Sequence, residues 1–155
     1  MSLKKLFDNL EEYVLMVLFP IMVVVVFVAT MVRYLTNFPL PWSSEVARYV
    51  MVWLAYIGAS LGIKKNAHLG VEIVVSLLPD VLKKFFGYIR TAMIILFNVL
   101  VIYFTFQIIQ NQIATEQLSP ALRIPIYWAY LAIPAGAFLM IIRSIQVLFV
   151  PVEEE

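Results

Sequence analysis

Residues 13–32 read YVLMVLFPIMVVVVFVATMV, twenty consecutive residues without a charged side chain. Coiled as an α-helix, this segment is long enough to cross the hydrocarbon core of a bilayer, which takes about 20 apolar residues. A helix also satisfies its own backbone hydrogen-bonding groups, as lipid requires. The segment therefore predicts a membrane-spanning helix. Three further apolar stretches predict the same: residues 46–63, 91–109 and 126–142.

The composition supports the same fold class. Of the 155 residues, 63% are hydrophobic and 14% are charged, against roughly 25% charged residues in soluble domains. We therefore predict an all-α polytopic membrane protein with a single membrane domain over residues 1–155. The net charge of +1 indicates no nucleic-acid partner. The chain has no cysteine and one histidine, His68, which excludes iron–sulfur clusters, bis-histidine haem and multi-histidine metal sites. No cofactor is expected.

Two segments outside the spans have the periodicity of amphipathic helices. In residues 1–12 the apolar side chains fall at helical spacing, which predicts a short interfacial helix leading into the first span. In residues 64–90 polar and apolar positions alternate with a period of three or four. Pro79 interrupts this pattern, because the residue before a proline is disfavoured in helical geometry. We expect two short helices in the headgroup plane there.

The distribution of lysine and arginine predicts the orientation. With four spans, both termini and the 64–90 segment share one side of the membrane. That side holds eight of the 11 basic residues, and the other side holds three. Because basic residues are retained in the cytoplasm, we predict that both termini are cytoplasmic. The loops over residues 33–45 and 110–125 then lie outside.

One charged pair stands at the start of the second span, where residues 41–50 read PWSSEVARYV. Ser43 or Ser44 is expected to cap the helix, and Glu45 to lie in its first turn, where the helix dipole favours negative charge. Arg48 can extend back to the interface or pair with Glu45, and Trp42 belongs to the interfacial aromatic belt. Two interpretations stay open: an anchor for the helix, or a polar contact with another protein.

Small and polar residues within the spans mark helix-packing faces. Thr91, Asn98, Thr105 and Gln112 are seven residues apart and share one face of the third helix. In lipid such residues hydrogen-bond to a neighbouring helix. In the second span, Gly58 and Gly62 stand four apart, a spacing that lets helix backbones approach closely. Both sets suit packing inside the bundle or an interface with a partner subunit.

The inventory of reactive sites is nearly empty. The sequence contains no nucleophile–base pair, metal-ligand cluster or phosphate-binding loop, so we predict that the chain is not an enzyme and holds no metal. Ion-coupled carriers usually keep ionisable groups at membrane depth, and no span has one at its middle. His68 fits a polar contact at the turn into the interfacial segment. These features favour an accessory membrane subunit that packs against a partner.

Three stretches resemble a known family, the small membrane subunit (Q-type, DctQ-like) of TRAP transporters, the tripartite ATP-independent periplasmic systems. The resemblance covers nearly the whole chain, in the same order and with the same number of spans. The three stretches are residues 42–49 (WSSEVARY), 65–72 (KNAHLGVE) and 119–125 (SPALRIP), the last followed by IPAG at 133–136.

The resemblance implies a partner and a role. The small subunit would pair with a large inner-membrane subunit that carries the substrate and sodium sites, and would steady its static scaffold. A periplasmic binding protein would deliver an organic acid, such as a C4-dicarboxylate or a sialic acid. No substrate-binding residue is then expected in this chain. We hypothesise that Arg123, in an outer loop, lies close to the docked binding protein.

Two alternatives come from other functional classes. A self-associating four-helix multidrug exporter needs a membrane-embedded carboxylate for proton exchange, and the first span has none. A membrane anchor of a redox complex is the second alternative, and the single histidine argues against a haem-binding version. Purification separates the three, as a homodimer, a chain with a haem spectrum, or a chain stable only beside a large partner.

Overall fold

The computed structural model describes residues 9–65 and 80–149 of the chain. Four helical segments in these ranges are long and apolar enough to cross a membrane. The predicted all-helical fold with four spans is confirmed. The described helices, numbered in chain order, are α1 (Leu10–Thr36), α2 (Pro41–Lys64), α3 (Asp80–Ala114), α4 (Tyr127–Tyr130) and α5 (Ala132–Phe149).

The helices extend beyond the apolar stretches predicted to span. α3 is one continuous helix over 35 residues, so residues 80–90 form its first turns, where we expected a separate interfacial helix. Good helix-forming residues there continue the hydrogen-bond ladder out of the apolar stretch. The predicted amphipathic segments over residues 1–8 and 66–79 lie outside the described residues.

The fourth span consists of two helical pieces, with Leu131 between α4 and α5. Pro134 accounts for this break. It has no N–H to bond the carbonyl of Tyr130, four residues earlier. The neighbouring bonds persist, because the Leu131 N–H bonds the Tyr127 carbonyl at 2.9 Å and the Ala135 N–H bonds the Leu131 carbonyl at 3.2 Å. The two pieces therefore cross the membrane as one segment.

The long helices pack as an open row in the order α1–α2–α5–α3. Within the described part of the chain, the α1 backbone packs against α2, and its Glu11 side chain also contacts Arg143 of α5; α3 packs against α5 and the short α4. Residues 37–40 connect α1 to α2 closely, with Asn37 in the left-handed conformation that asparagine tolerates. A row leaves more helix surface uncovered than a closed four-helix bundle does.

The row turns polar side chains inward and apolar ones outward. Among the described residues, buried groups include Glu11, Glu45, Ser60 and Arg143, whereas many large apolar side chains are exposed. In water this pattern would be unfavourable, because exposed apolar area costs about 25 cal/mol per Å². In a bilayer the outward apolar side chains meet lipid, and the buried polar groups meet each other. The helices of the row have two ends along their axes. The hairpin end holds residues 37–40 and 115–126, and the charged end holds Glu11, Lys64 and Arg143.

Candidate functional site

Glu45 ties the loop after α3 to the beginning of α2. Its Oε2 accepts hydrogen bonds from the backbone N–H groups of Ala121 at 3.1 Å and Leu122 at 2.9 Å. Its Oε1 accepts a bond from the Tyr49 hydroxyl at 3.1 Å. Glu45 as a whole residue is 6% exposed. Hydrogen bonds to an ionised acceptor are roughly twice as strong as neutral ones, so Glu45 fixes a contact between residues more than 70 positions apart.

The first turn of α2 differs from the prediction. The helix begins at Pro41, a residue suited to that position because its missing N–H has no helical partner there. Ser43 and Ser44 therefore lie inside the helix, and their hydroxyls donate to the carbonyls of Leu40 and Pro41 at 2.7 and 2.9 Å. The prediction that either serine caps the helix, with Glu45 in the first turn, was wrong.

Glu45 and Arg48 do not form an ion pair in the described structure. Glu45 instead has the partners just described. Within the described ranges, Arg48 makes no hydrogen bond or ion pair, and its side chain is exposed. Trp42 is 42% exposed, at the end of α2 where an aromatic belt is expected. Whether these residues act as an anchor or contact a partner protein stays a prediction.

The loop that Glu45 holds is a short hairpin over residues 117–126. The Ser119 N–H bonds the Ile124 carbonyl at 2.8 Å, and the Ile126 N–H bonds the Gln117 carbonyl at 3.1 Å. Arg123, at the turn, has a positive φ of 53° and an exposed side chain. The hairpin therefore has a defined conformation and presents Arg123 outward.

A cavity of about 480 Å³ lies beside this hairpin, between α2 and the α4–α5 segment. Its lining has polar and apolar residues, which are called here its polar side and its apolar side. The polar residues are Glu45, Arg48, Tyr49 and Tyr130, and the apolar residues are Val52, Pro120, Ile126, Ala129 and Ile133.

A second charged group is buried at the charged end of the row. Arg143 of α5 donates to both carboxylate oxygens of Glu11 in α1, from Nε and Nη2, each at 2.6 Å. Ser60 of α2 donates to Glu11 Oε1 at 3.2 Å, and Gln146 Oε1 accepts from Arg143 Nη1 at 2.6 Å. Glu11 is wholly buried, and the Arg143 side chain is 7% exposed. Three helices meet at this ion pair.

Sequence reasoning did not find this pair. Glu11 fell within the predicted N-terminal helix over residues 1–12, and Arg143 was counted only among the basic residues on the side of the termini. The two are 132 positions apart, so no local spacing connects them. The available signal was the predicted topology, which put an acid and a base at the same membrane surface. Around this pair, Lys65 contacts Glu12 at 3.2 Å and Lys64 donates to Asn9 at 3.3 Å.

The polar residues of α3 face the inside of the row. Thr91, Asn98, Thr105 and Gln112 are all buried. The Asn98 side-chain amide donates to the Ile94 carbonyl at 2.8 Å. Asn98 Oδ1 and Gln112 Oε1 have no hydrogen-bond partner within the chain as described. These four residues, called the polar stripe of α3, therefore lie on the side where α3 packs against its neighbours in this chain.

The glycines of α2 and α5 differ in their surroundings. A Cβ added at Gly136 of α5 would lie 2.5 Å from Tyr56 Cβ and 3.1 Å from the Tyr56 carbonyl oxygen, so this glycine permits close approach of the two helices. A Cβ at Gly58 or Gly62 would meet no atom within 4 Å. The two α2 glycines therefore lie in open space in this chain.

No group of three or more His, Asp or Glu side chains suited to a metal occurs in residues 9–65 and 80–149. The buried charges there are paired with each other or with backbone groups. These contacts position helices and a loop, which is a structural arrangement.

Comparison with known proteins identifies a family. The profile described as "Tripartite ATP-independent periplasmic transporters, DctQ component" matches residues 22–154. A C4-dicarboxylate TRAP transporter small permease protein from Rhodobacter capsulatus is 29% identical over 110 residues, which are 71% of this chain and 48% of that protein. The protein of the same description from Vibrio cholerae is 27% identical over 95 residues, which are 61% and 41% of the two chains.

A third relative is much longer. The isethionate TRAP transporter permease protein DctMQ of Oleidesulfovibrio alaskensis is 29% identical over 105 residues, or 68% of this chain and 16% of that protein. The matched region spans about half the length of the two small permeases.

Proposed function

The chain belongs to the DctQ component family of tripartite ATP-independent periplasmic transporters, and from this premise we propose that it is the small scaffold subunit of a sodium-coupled organic-acid importer. As a member of this family it is a multi-pass inner-membrane transporter component and not an enzyme. The family match gives no support to the multidrug exporter or the redox-complex anchor.

The open row of helices supports the scaffold role. Along α1 and α3, large apolar side chains remain exposed on surfaces that no other described helix covers. The described residues offer no carboxylate cluster for ion coupling. A partner that carries the transport site, seated against part of this surface, accounts for both features. We propose that this partner is the large TRAP membrane subunit, as in the DctMQ relative, where the matched region is part of a longer permease.

The descriptions of the relatives indicate a chemical class for the substrate. We propose an organic acid of the C4-dicarboxylate or sialic acid type, because relatives of both descriptions match this chain. The coupling sodium ions are expected in the large subunit, and a periplasmic binding protein is expected to deliver the substrate.

Reconstitution tests the proposal. Proteoliposomes with the cognate large subunit, the binding protein and this chain are expected to take up the organic acid when sodium is present outside. Omitting this chain is expected to abolish that uptake. Undiminished sodium-dependent uptake without it, at equal amounts of correctly inserted large subunit, would contradict the scaffold role.

The hairpin over residues 117–126 is the proposed neighbour of the docked binding protein. Glu45 holds its conformation, and Arg123 projects from its turn. Reversing that charge with Arg123→Glu is expected to weaken binding-protein affinity for the assembled membrane complex about tenfold, as a close charge pair permits. Arg33→Glu, at the end of α1, is the matched control. Equal affinity in wild type and Arg123→Glu would exclude the contact.

A further inference from the structure

The cavity between α2 and the α4–α5 segment is lined by both polar and aliphatic residues, the composition that a lipid site needs. Its volume of about 480 Å³ lies within the usual range for small-molecule pockets, about 300–1,000 Å³. The polar residues of the lining include Arg48, Tyr49 and Tyr130, and the Tyr49 hydroxyl donates to Glu45. The apolar side is aliphatic. A ligand that fills this space needs a polar head and an apolar body.

The polar side favours an anion. Glu45 contributes a carboxylate, but its oxygens already accept bonds from two backbone N–H groups and the Tyr49 hydroxyl. Arg48 has no hydrogen bond or ion pair within the described residues. Its guanidinium is planar and offers a fork of N–H donors that matches phosphate oxygens. The cavity is thus lined by an arginine, Arg48, that has no hydrogen bond or ion pair among the described residues. The neighbouring Glu45 carboxylate already accepts three hydrogen bonds.

With the start of α2 at the membrane surface, Arg48 lies within side-chain reach of the lipid phosphates. Arg48 is seven residues after the first residue of the helix, Pro41, which is about 10 Å at 1.5 Å per residue. The headgroup and interfacial layer on each side of a bilayer is about 5–8 Å thick, and an arginine side chain reaches several ångströms toward it. Val52, one turn further along α2, and Ile133 of α5 line the cavity at greater depth.

We propose that this cavity binds one phospholipid from the leaflet at the hairpin end. The Arg48 guanidinium and the Tyr130 hydroxyl hold the phosphodiester, and one acyl chain lies along Val52, Ala129 and Ile133. A soluble organic acid or inorganic phosphate would contact Arg48 and leave the aliphatic side empty. The lipid fills both sides and joins α2 to the fourth span beside the hairpin that Glu45 fixes.

Native mass spectrometry of the purified, delipidated chain tests the proposal, alone and in complex with its large subunit. The probes are dioleoyl phosphatidylglycerol, dioleoylglycerol with the same acyl chains and no phosphate, and inorganic phosphate. One added phosphatidylglycerol is expected to bind to wild type. Arg48→Gln is expected to weaken its binding about tenfold, the effect of one charge-assisted hydrogen bond. Arg48→Lys is expected to bind with intermediate affinity.

A second variant separates loss of the site from loss of the fold. Val52→Phe fills the apolar side and is expected to reduce phosphatidylglycerol binding while the hairpin contacts of Glu45 persist. Arg123→Gln removes a charge at the same end outside the cavity, and is expected to bind like wild type. Lipid retention equal to that of wild type in both Arg48→Gln and Val52→Phe would overturn the proposal. Displacement of the lipid by inorganic phosphate would show a free-anion site instead, and displacement by the large subunit would show a protein interface.

Discussion

Glu45 and Glu11 are both buried carboxylates in a membrane protein, and their partners differ in kind. Glu45 is held by backbone N–H groups of a loop, whereas Glu11 is held by the guanidinium of Arg143. An unpaired buried charge is costly, so each carboxylate depends on its partners. The first contact determines the conformation of a hairpin, and the second connects three helices.

Replacing Glu45 tests the hairpin contact. Glu45→Ala is expected to speed hydrogen exchange of the Ala121 and Leu122 amides, because hydrogen bonds to a charged acceptor contribute about 1.5–3 kcal/mol each. Glu45→Gln keeps an acceptor oxygen and is expected to show a smaller increase. Exchange of peptides covering residues 118–125 measures both. Arg48→Gln serves as the control, and wild-type exchange in Glu45→Ala would show that other contacts hold the hairpin.

The Glu11–Arg143 pair is expected to affect global stability. Removing one partner leaves the other charge buried, so Glu11→Ala is expected to lower the free energy of unfolding by about 3–5 kcal/mol. The double substitution Glu11→Leu with Arg143→Leu is expected to recover much of this loss, because no charge remains buried. Denaturant titration in mixed micelles provides the measurement.

The matched control for that pair is Glu12→Ala. Glu12 pairs with Lys65, whose side chain is 62% exposed. An exposed pair of this kind contributes about 0.2–1 kcal/mol. If Glu11→Ala and Glu12→Ala lose equal stability, the buried pair does not have the role assigned to it.

At the scale of single residues, the sequence predicted where polar residues lie along the helices better than it predicted their hydrogen-bonding partners. It located Glu45, Arg48 and Trp42 at the end of a span, because charge and aromatic residues break the apolar pattern there. It did not locate the acceptors of the Ala121 and Leu122 N–H groups or the partner of Glu11. Those contacts depend on helix order in space, which a single sequence does not encode through spacing.

At the scale of helices, two similar patterns have different surroundings. Gly136 lies where α5 approaches the backbone of α2 at Tyr56, whereas Gly58 and Gly62 of α2 lie in open space. Spacing alone marked Gly58 and Gly62 as packing positions. The polar stripe of α3 was identified from its period of seven, and the structure adds that it faces inward. The long α3 was not predicted, because the amphipathic pattern before residue 91 indicated an interfacial helix separate from the span.

Alanine substitution is expected to separate the glycines. Gly136→Ala forces a contact of 2.5 Å with Tyr56, and overpacking of this kind costs about 1–3 kcal/mol. Gly62→Ala meets no atom within 4 Å and is expected to stabilise the helix slightly. Thermal unfolding of the purified chain measures both effects.

Gly62→Leu extends this test to the partner subunit. A Cβ at residue 62 meets no atom within 4 Å, so unfolding of the purified protein is expected to be close to wild type. Loss of co-purification with the large subunit would then identify the α2 glycines as an interface. If Gly136→Ala and Gly62→Ala lose the same stability, the two glycines do not differ in packing as the structure indicates.

At the scale of the whole molecule, the open row explains how a chain of four spans leaves so much apolar surface uncovered. Composition and span length were sufficient to predict the membrane fold, because the bilayer imposes both. The order α1–α2–α5–α3 was not predictable, since it depends on which faces pair. Orientation in the membrane rests on the distribution of basic residues and stays a prediction.

A reporter active only in the cytoplasm tests the orientation. Fused after Glu155, it is expected to be active, because eight of the 11 basic residues lie on the side of the termini. Inserted at Asn37, between α1 and α2, it is expected to be silent. The opposite pair of results would invert the topology and move the hairpin to the cytoplasmic side.

The order of the row differs from the order of synthesis, and this has a consequence for biogenesis. α3 leaves the ribosome before α5, although α5 separates it from α2 in the finished protein. Until α5 is made, Asn98 and Gln112 have no neighbouring helix to shield their amides from lipid. Translation proceeds at about 5–20 residues per second, so the interval lasts on the order of seconds. During it, α3 depends on the insertion machinery for a polar environment, and slowed translation of residues 115–149 prolongs that dependence.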